Sequence, residues 1–125
     1  MPLPPSPHYT SDHQEFAAAV RAFVQREVTP HVQAWEDACE FPRDLYAKAG
    51  QLGLLGLGMP EQLGGTPGDP FFTIAATYEI AQAGSGGVMA GLQSCHIALP
   101  PILALGSPEL QHRIIPGVLR GGGYL

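Results

Sequence analysis

The sequence predicts an all-α fold, a bundle of five or six helices in an orthogonal or up-down arrangement. Apolar residues recur at helical spacing in one segment after another. Most of those segments are bounded by the 16 glycines and 13 prolines, which cap, start or stop helices. No alternating apolar and polar run is long enough for a useful strand.

Residues 1–9 carry four prolines and are expected to be an extended or disordered lead-in, with the helical domain occupying residues 10–125. Ser11 and Gln14 have the form of a capping box, and Phe16, Val20, Phe23 and Val24 then fall on one helical face. Pro30 removes one helical hydrogen bond. Because Val28, Val32, Trp35 and Cys39 keep the period across it, the helix is expected to bend and continue. Phe41-Pro42 should open the next helix, with Leu45, Ala49 and Leu52 as its buried stripe and Gly53 as its stop.

From Gly50 to Gly65 the chain reads as a buried, irregular crossing. Leu52, Leu54, Leu55, Leu57 and Met59 alternate with glycines that a regular helix resists, and Gly64-Gly65 makes the final turn. Asp69-Pro70 is a cap followed by a first helical proline, and Phe71, Ile74, Tyr78 and Ala81 mark the apolar face that follows. Gly84 to Gly87 breaks that helix. Beyond it Val88, Leu92, Cys95, Leu99, Ile102 and Leu103 make a helix apolar around much of its circumference, buried on several sides or lining a cavity, which Pro100-Pro101 must kink or divide. Gly106-Ser107-Pro108 stops it and starts the last helix, whose stripe is Leu110, Ile114 and Val118.

Composition narrows the function. With 45% hydrophobic and 14% charged residues in 125, the chain is a single globular domain whose surface is rather apolar. A net charge of -5 with six Lys+Arg offers no basic stripe for nucleic acid. Cys39 and Cys95 have no ligand spacing and read as core thiols of a reducing compartment. With no signal peptide and no unbroken apolar span, a cytoplasmic location without a membrane span is expected. The G-S-G-G turn at 84–87 follows no strand and precedes no Lys-Ser/Thr pair, so it reads as helix punctuation rather than a phosphate loop. The five histidines show no metal-ligand spacing, and Glu36, Asp37, Glu40, Glu61 and Glu79 read as solvated surface. His96 stands in an apolar run, where a buried ring must find a partner in the core or in a pocket wall.

The order of landmarks resembles the N-terminal helical domain of the acyl-CoA dehydrogenase family of flavoenzymes. The segments carrying the resemblance are R-A-F-V-Q-R-E-V-T-P at 21–30, E-F-P-R-D-L at 40–45, Q-L-G-L-L-G at 51–56, P-E-Q-L-G-G at 60–65, Y-E-I-A at 78–81 and L-G-S-P-E-L-Q at 105–111. The resemblance implies a complete enzyme with two further domains, a middle β-domain and a C-terminal helical domain. That enzyme would be a homo-oligomer, dimer or tetramer, acting on acyl-CoA with FAD. In the implied α,β-dehydrogenation a carboxylate takes the α-proton and the β-hydrogen leaves as hydride. The resemblance puts the FAD contacts and the catalytic carboxylate outside this chain, so no catalytic, cofactor-binding or metal residue is assigned here and FAD is not expected on this chain alone. It places part of the acyl pocket on Val88, Met89, Leu92, Gln93 and His96. Two alternatives are a non-catalytic helical protein-binding module derived from the domain, and an acyl-CoA oxidase or flavin monooxygenase of the same fold.

Overall fold

A computed structural model describes residues 2–122, and among these there is no β-strand, only an isolated parallel bridge between Leu57 and Thr66. The α-helices are α1 (Ser11–Phe23), α2 (Val32–Ala38), α3 (Asp44–Gln51), α4 (Pro70–Ala81), α5 (Gly86–Gln93), α6 (Cys95–Leu105) and α7 (Pro108–Leu119). Segments expected as single bent helices account for the larger number, since one is divided near Pro30 and another at Ser94. The chain forms two compact units, one of Met1–Phe41 with Gly68–Met89 and one of Pro42–Pro67 with Ala90–Leu125. The sequence ending at Gly123 to Leu125, and Met1 of the lead-in, lie outside the described residues.

In the first unit α1 packs on α4. Ala17, Val20, Phe23 and Val24 are buried on one side, and Ala75, Ala76 and Ile80 on the other. Small residues at the contact let the two backbones approach closely. The helical path continues past Pro30 as expected, through a π-helical turn over Val24–Val28 and a 3-10 turn over Thr29–His31 into α2. It stops at Cys39, whose φ of 57° is left-handed. Cys39 is exposed, which corrects its reading as a core thiol; the helix-terminating position that it occupies faces outward.

Three further expectations are corrected in this unit. The cap of α1 is Thr10 rather than Ser11, because the Nδ1 of His13, three residues on, accepts the Thr10 N–H at 2.8 Å and lies 2.9 Å from Thr10 Oγ1. Residues 2–9 of the lead-in hold no helix or strand, and Leu3 among them is buried in a cluster with Ala17 and Ala75. The buried face of α4 is Ala75, Ala76, Glu79 and Ile80, while Ile74 is 49% exposed and Ala81 is exposed. Periodicity counted Glu79 as solvated surface, whereas it is completely buried in a two-point ion pair. Arg21 donates to it through Nε at 3.2 Å and Nη2 at 2.8 Å. The expected Asp69 cap is present and accepts the Phe71 N–H at 2.9 Å.

In the second unit α3 begins at Asp44, two residues beyond the proline expected to open it, and buries Leu45 and Ala49. It stops at Gly53, whose φ is +83°. The crossing that follows buries Leu54, Leu55, Leu57 and Met59. Its irregular backbone finds partners locally: Gly58 N–H donates to Thr66 O at 2.9 Å, Thr66 N–H to Gly56 O at 2.8 Å, and Thr66 Oγ1 to Gly53 O at 3.0 Å. Gly65 is required there, because a Cβ would overlap the Met59 carbonyl.

The apolar run divides at Ser94 rather than at Pro100-Pro101, which lie inside α6. Pro100 and Pro101 offer no N–H to the His96 and Ile97 carbonyls, yet the helix runs on through them to Leu105. Gly86–Leu105 spans 20 residues and is long and apolar enough for a membrane span by length and composition alone. Gln111 Nε2 closes the end of α6 by donating to Leu103 O at 3.1 Å and Gly106 O at 3.0 Å. The expected Ser107 cap of α7 accepts the Leu110 N–H at 3.1 Å, and the buried stripe is Ile115, Val118 and Leu119. That stripe is turned from the expected one, Leu110 and Ile114 being only half-buried.

Candidate functional site

The segment entering α5 carries the densest set of observations. Ala81 ends α4, Gly84 takes a φ of +76°, and Gly86 and Gly87 open α5, so the G-S-G-G run does act as helix punctuation. Ser85 is buried at this turn. Its Oγ accepts the Val88 N–H at 3.2 Å and donates a hydrogen bond to Oε1 of Glu36 on α2. Sequence reading placed Glu36 on solvated surface, and no local signal could have linked it to a serine 49 positions away.

Two kinds of position alternate along α5 and the start of α6. Val88 and Leu92, one helical turn apart, are 3% and 0% exposed, and Cys95 and Leu99 continue the inward series at 5% and 1%. Met89, Gln93 and His96 are half-buried. Of the five residues that the resemblance assigns to a pocket wall, Val88 and Leu92 are buried, and Met89, Gln93 and His96 are half-buried. Met89 belongs to the first unit, and Gln93 and His96 to the second.

His96 is the distinctive member. Its Nε2 is, among the described residues, the buried side-chain nitrogen or oxygen left without a hydrogen-bond partner. Burial drives its pKa down from the ordinary histidine value, against the weaker opposing effect of the Leu54 and Leu55 carbonyls, so the ring is neutral at pH 7. Neighbouring Cys95 donates Sγ–H to Leu55 O at 3.3 Å, and burial raises its thiol pKa, which makes it a packing residue rather than a nucleophile.

Acid–base chemistry has little to work with here. Glu79 is the buried carboxylate among the described residues, and its pairing holds Arg21 protonated above its usual value, chiefly through the hydrogen bond between them. Asp37, Glu40 and Glu61 are exposed. Among the described residues no three His, Cys, Asp or Glu side chains are grouped to hold a metal ion.

The family model described as the acyl-CoA dehydrogenase N-terminal domain matches residues 10–122. The mitochondrial long-chain specific acyl-CoA dehydrogenase of Mus musculus is 37% identical over 113 residues, 90% of this chain and 26% of that protein. A crystal structure from Mycobacterium smegmatis assigned as an acyl-CoA dehydrogenase aligns with a TM-score of 0.87 and 43% identity, over 94% of this chain and 31% of the other. The acyl-CoA dehydrogenase from Geobacillus kaustophilus aligns with a TM-score of 0.85 and 30% identity, over 94% and 30%. This chain thus spans between a quarter and a third of the length of these relatives. With its helices in the order that family's domain requires and the match running from the cap of α1 to beyond α7, the chain belongs to the acyl-CoA dehydrogenase family as an N-terminal domain.

Proposed function

We propose that this chain shapes the acyl pocket of an FAD-dependent acyl-CoA dehydrogenase, an enzyme that introduces a Cα–Cβ double bond into an acyl-CoA thioester. The observation that carries the reading is the run from Gly86 to Leu105, which contains no Asp, Glu, Lys or Arg and whose Met89, in the first unit, is half-buried. An acyl tail needs such an uncharged wall, because each buried methylene gains about 0.8 kcal/mol only where no charge is desolvated.

FAD does not fit the glycine-rich turn at 84–87. The Glu36 carboxylate already lies against the first turn of α5, where the dinucleotide's pyrophosphate would have to sit, and two anions there repel. We therefore assign FAD, and the carboxylate that takes the α-proton, to parts of the enzyme beyond this domain. The two free thiols, Cys39 and Cys95, suit a reducing cytoplasm, and the complete enzyme is read as a homo-oligomer.

The test is a kcat/KM profile across acyl-CoA chain lengths for the complete enzyme and its Met89→Trp variant. Filling the wall at Met89 should exclude one or two methylenes and shift preference towards shorter chains by roughly ten-fold. Leu92→Phe, at a fully buried position, is the packing control and should lower activity at every length alike. A uniform loss with Met89→Trp would remove Met89 from the pocket.

A further inference from the structure

Glu36 is exposed on α2, yet it takes part in a chain of contacts that ends at the first turn of α5. Ser85 Oγ has one proton, which it gives to Glu36 Oε1, so its lone pair is left aimed at the Val88 N–H at 3.2 Å. The backbone adds one bond at this entry, from the Met89 N–H to Ser85 O at 3.1 Å, and Val88 is itself buried. A Cβ at Gly86 would meet nothing within 4 Å, and at Gly87 the nearest atoms are Ser85 Oγ at 3.9 Å and Glu36 Oε1 at 4.0 Å, so steric crowding does not fix either glycine. Two glycines opening an eight-residue helix leave its first turn entropically weak. A carboxylate at that end is also favoured by the helix dipole. Glu36, Ser85, Val88 and Met89 all lie in the first unit.

We propose that Glu36 is a positioning residue for acyl-chain selection: through Ser85 it pins the first turn of α5, and with it Met89, without touching substrate. The proposal rests on the acyl-pocket reading of Met89.

Amide hydrogen exchange of the full chain tests the link directly, since Ser85 Oγ is the acceptor for the Val88 N–H. Glu36→Ala should speed exchange at Val88 roughly three- to ten-fold, the range expected for a lost helix cap. Glu36→Gln retains an acceptor oxygen and should restore the wild-type rate. Adding Glu36→Ala to Ser85→Ala should change nothing further, because Glu36 acts through the hydroxyl. An unchanged Val88 rate in Glu36→Ala, or additive effects in the pair, overturns the proposal. In the complete enzyme, Glu36→Ala should blunt discrimination between chain lengths several-fold, and Glu36→Gln should retain it. If Met89→Trp moves the chain-length profile and Glu36→Ala does not, the positioning role is overturned while the pocket reading stands. If neither variant moves it, the pocket reading falls and the proposal falls with it.

Discussion

A buried imidazole nitrogen without a partner is an energetic liability that pH can expose. In the unfolded chain His96 titrates at the ordinary value of 6.5, but in the fold burial lowers that value, so protonation favours unfolding. Between the folded and unfolded values the unfolded chain binds more protons. Stability is therefore full above pH 6.5 and declines as the pH falls below it, until the folded value is passed. Asp69 contributes in a lower range, because its hydrogen bond from His13 depresses its pKa below 3.8. Urea denaturation at pH 7.5 and pH 5.5 should show wild type losing stability on acidification, and His96→Leu losing less. Equal losses would mean that the His96 ring is hydrated in the fold.

Helix α1 is tied to α4 by Arg21 and Glu79, and the pair is asymmetric: the carboxylate is fully buried while the guanidinium side chain is 28% exposed. Removing Arg21 strands a charge in the core, whereas removing both charges strands none. Arg21→Ala is expected to cost about 3 kcal/mol in denaturation, and Arg21→Met with Glu79→Met substantially less, even though the double variant deletes the whole ion pair. If the double variant were as damaged as the single, the pair would contribute mainly by packing. This pair also shows where sequence reading lost its hold. Caps and stops were legible at Asp69, Ser107 and Gly53, because each rests on backbone chemistry within a few residues. The buried face of α4 was not, since counting Glu79 as polar turned the expected stripe away from Ala75, Ala76 and Ile80, and its partner is 58 positions away. Small alanines carry little hydrophobic signal of their own, yet Ala17, Ala75 and Ala76 are buried. In the candidate site, the stretch from Val88 to His96 stood out in the sequence by its freedom from charge, while the burial of each residue depended on how the helix is turned.

Across the molecule as a whole, the surface feature that calls for company is the outer side of α6. Ile97, Pro100, Pro101, Ala104 and Leu105 are all exposed, at spacings that place them on one face, and Ile97 and Leu105 are 80% and 88% accessible. No charge interrupts them. A contiguous apolar helix face of this kind is uncommon on a monomeric protein and normally marks an interaction surface. The net charge of -5 works against association, but spread over 125 residues and screened at physiological salt it gives only weak repulsion between copies. Apolar contact should prevail, and the 125-residue chain should self-associate reversibly at micromolar concentration. Sedimentation velocity over a concentration series should show this, and Ile97→Lys with Leu105→Lys should return the chain to a monomer. Neither side chain contributes to the core, so the doubly substituted chain should melt within a few degrees of wild type, a shift of about 0.5 kcal/mol or less being usual for exposed positions. A wild-type chain that stayed monomeric throughout would show that this face does not drive association.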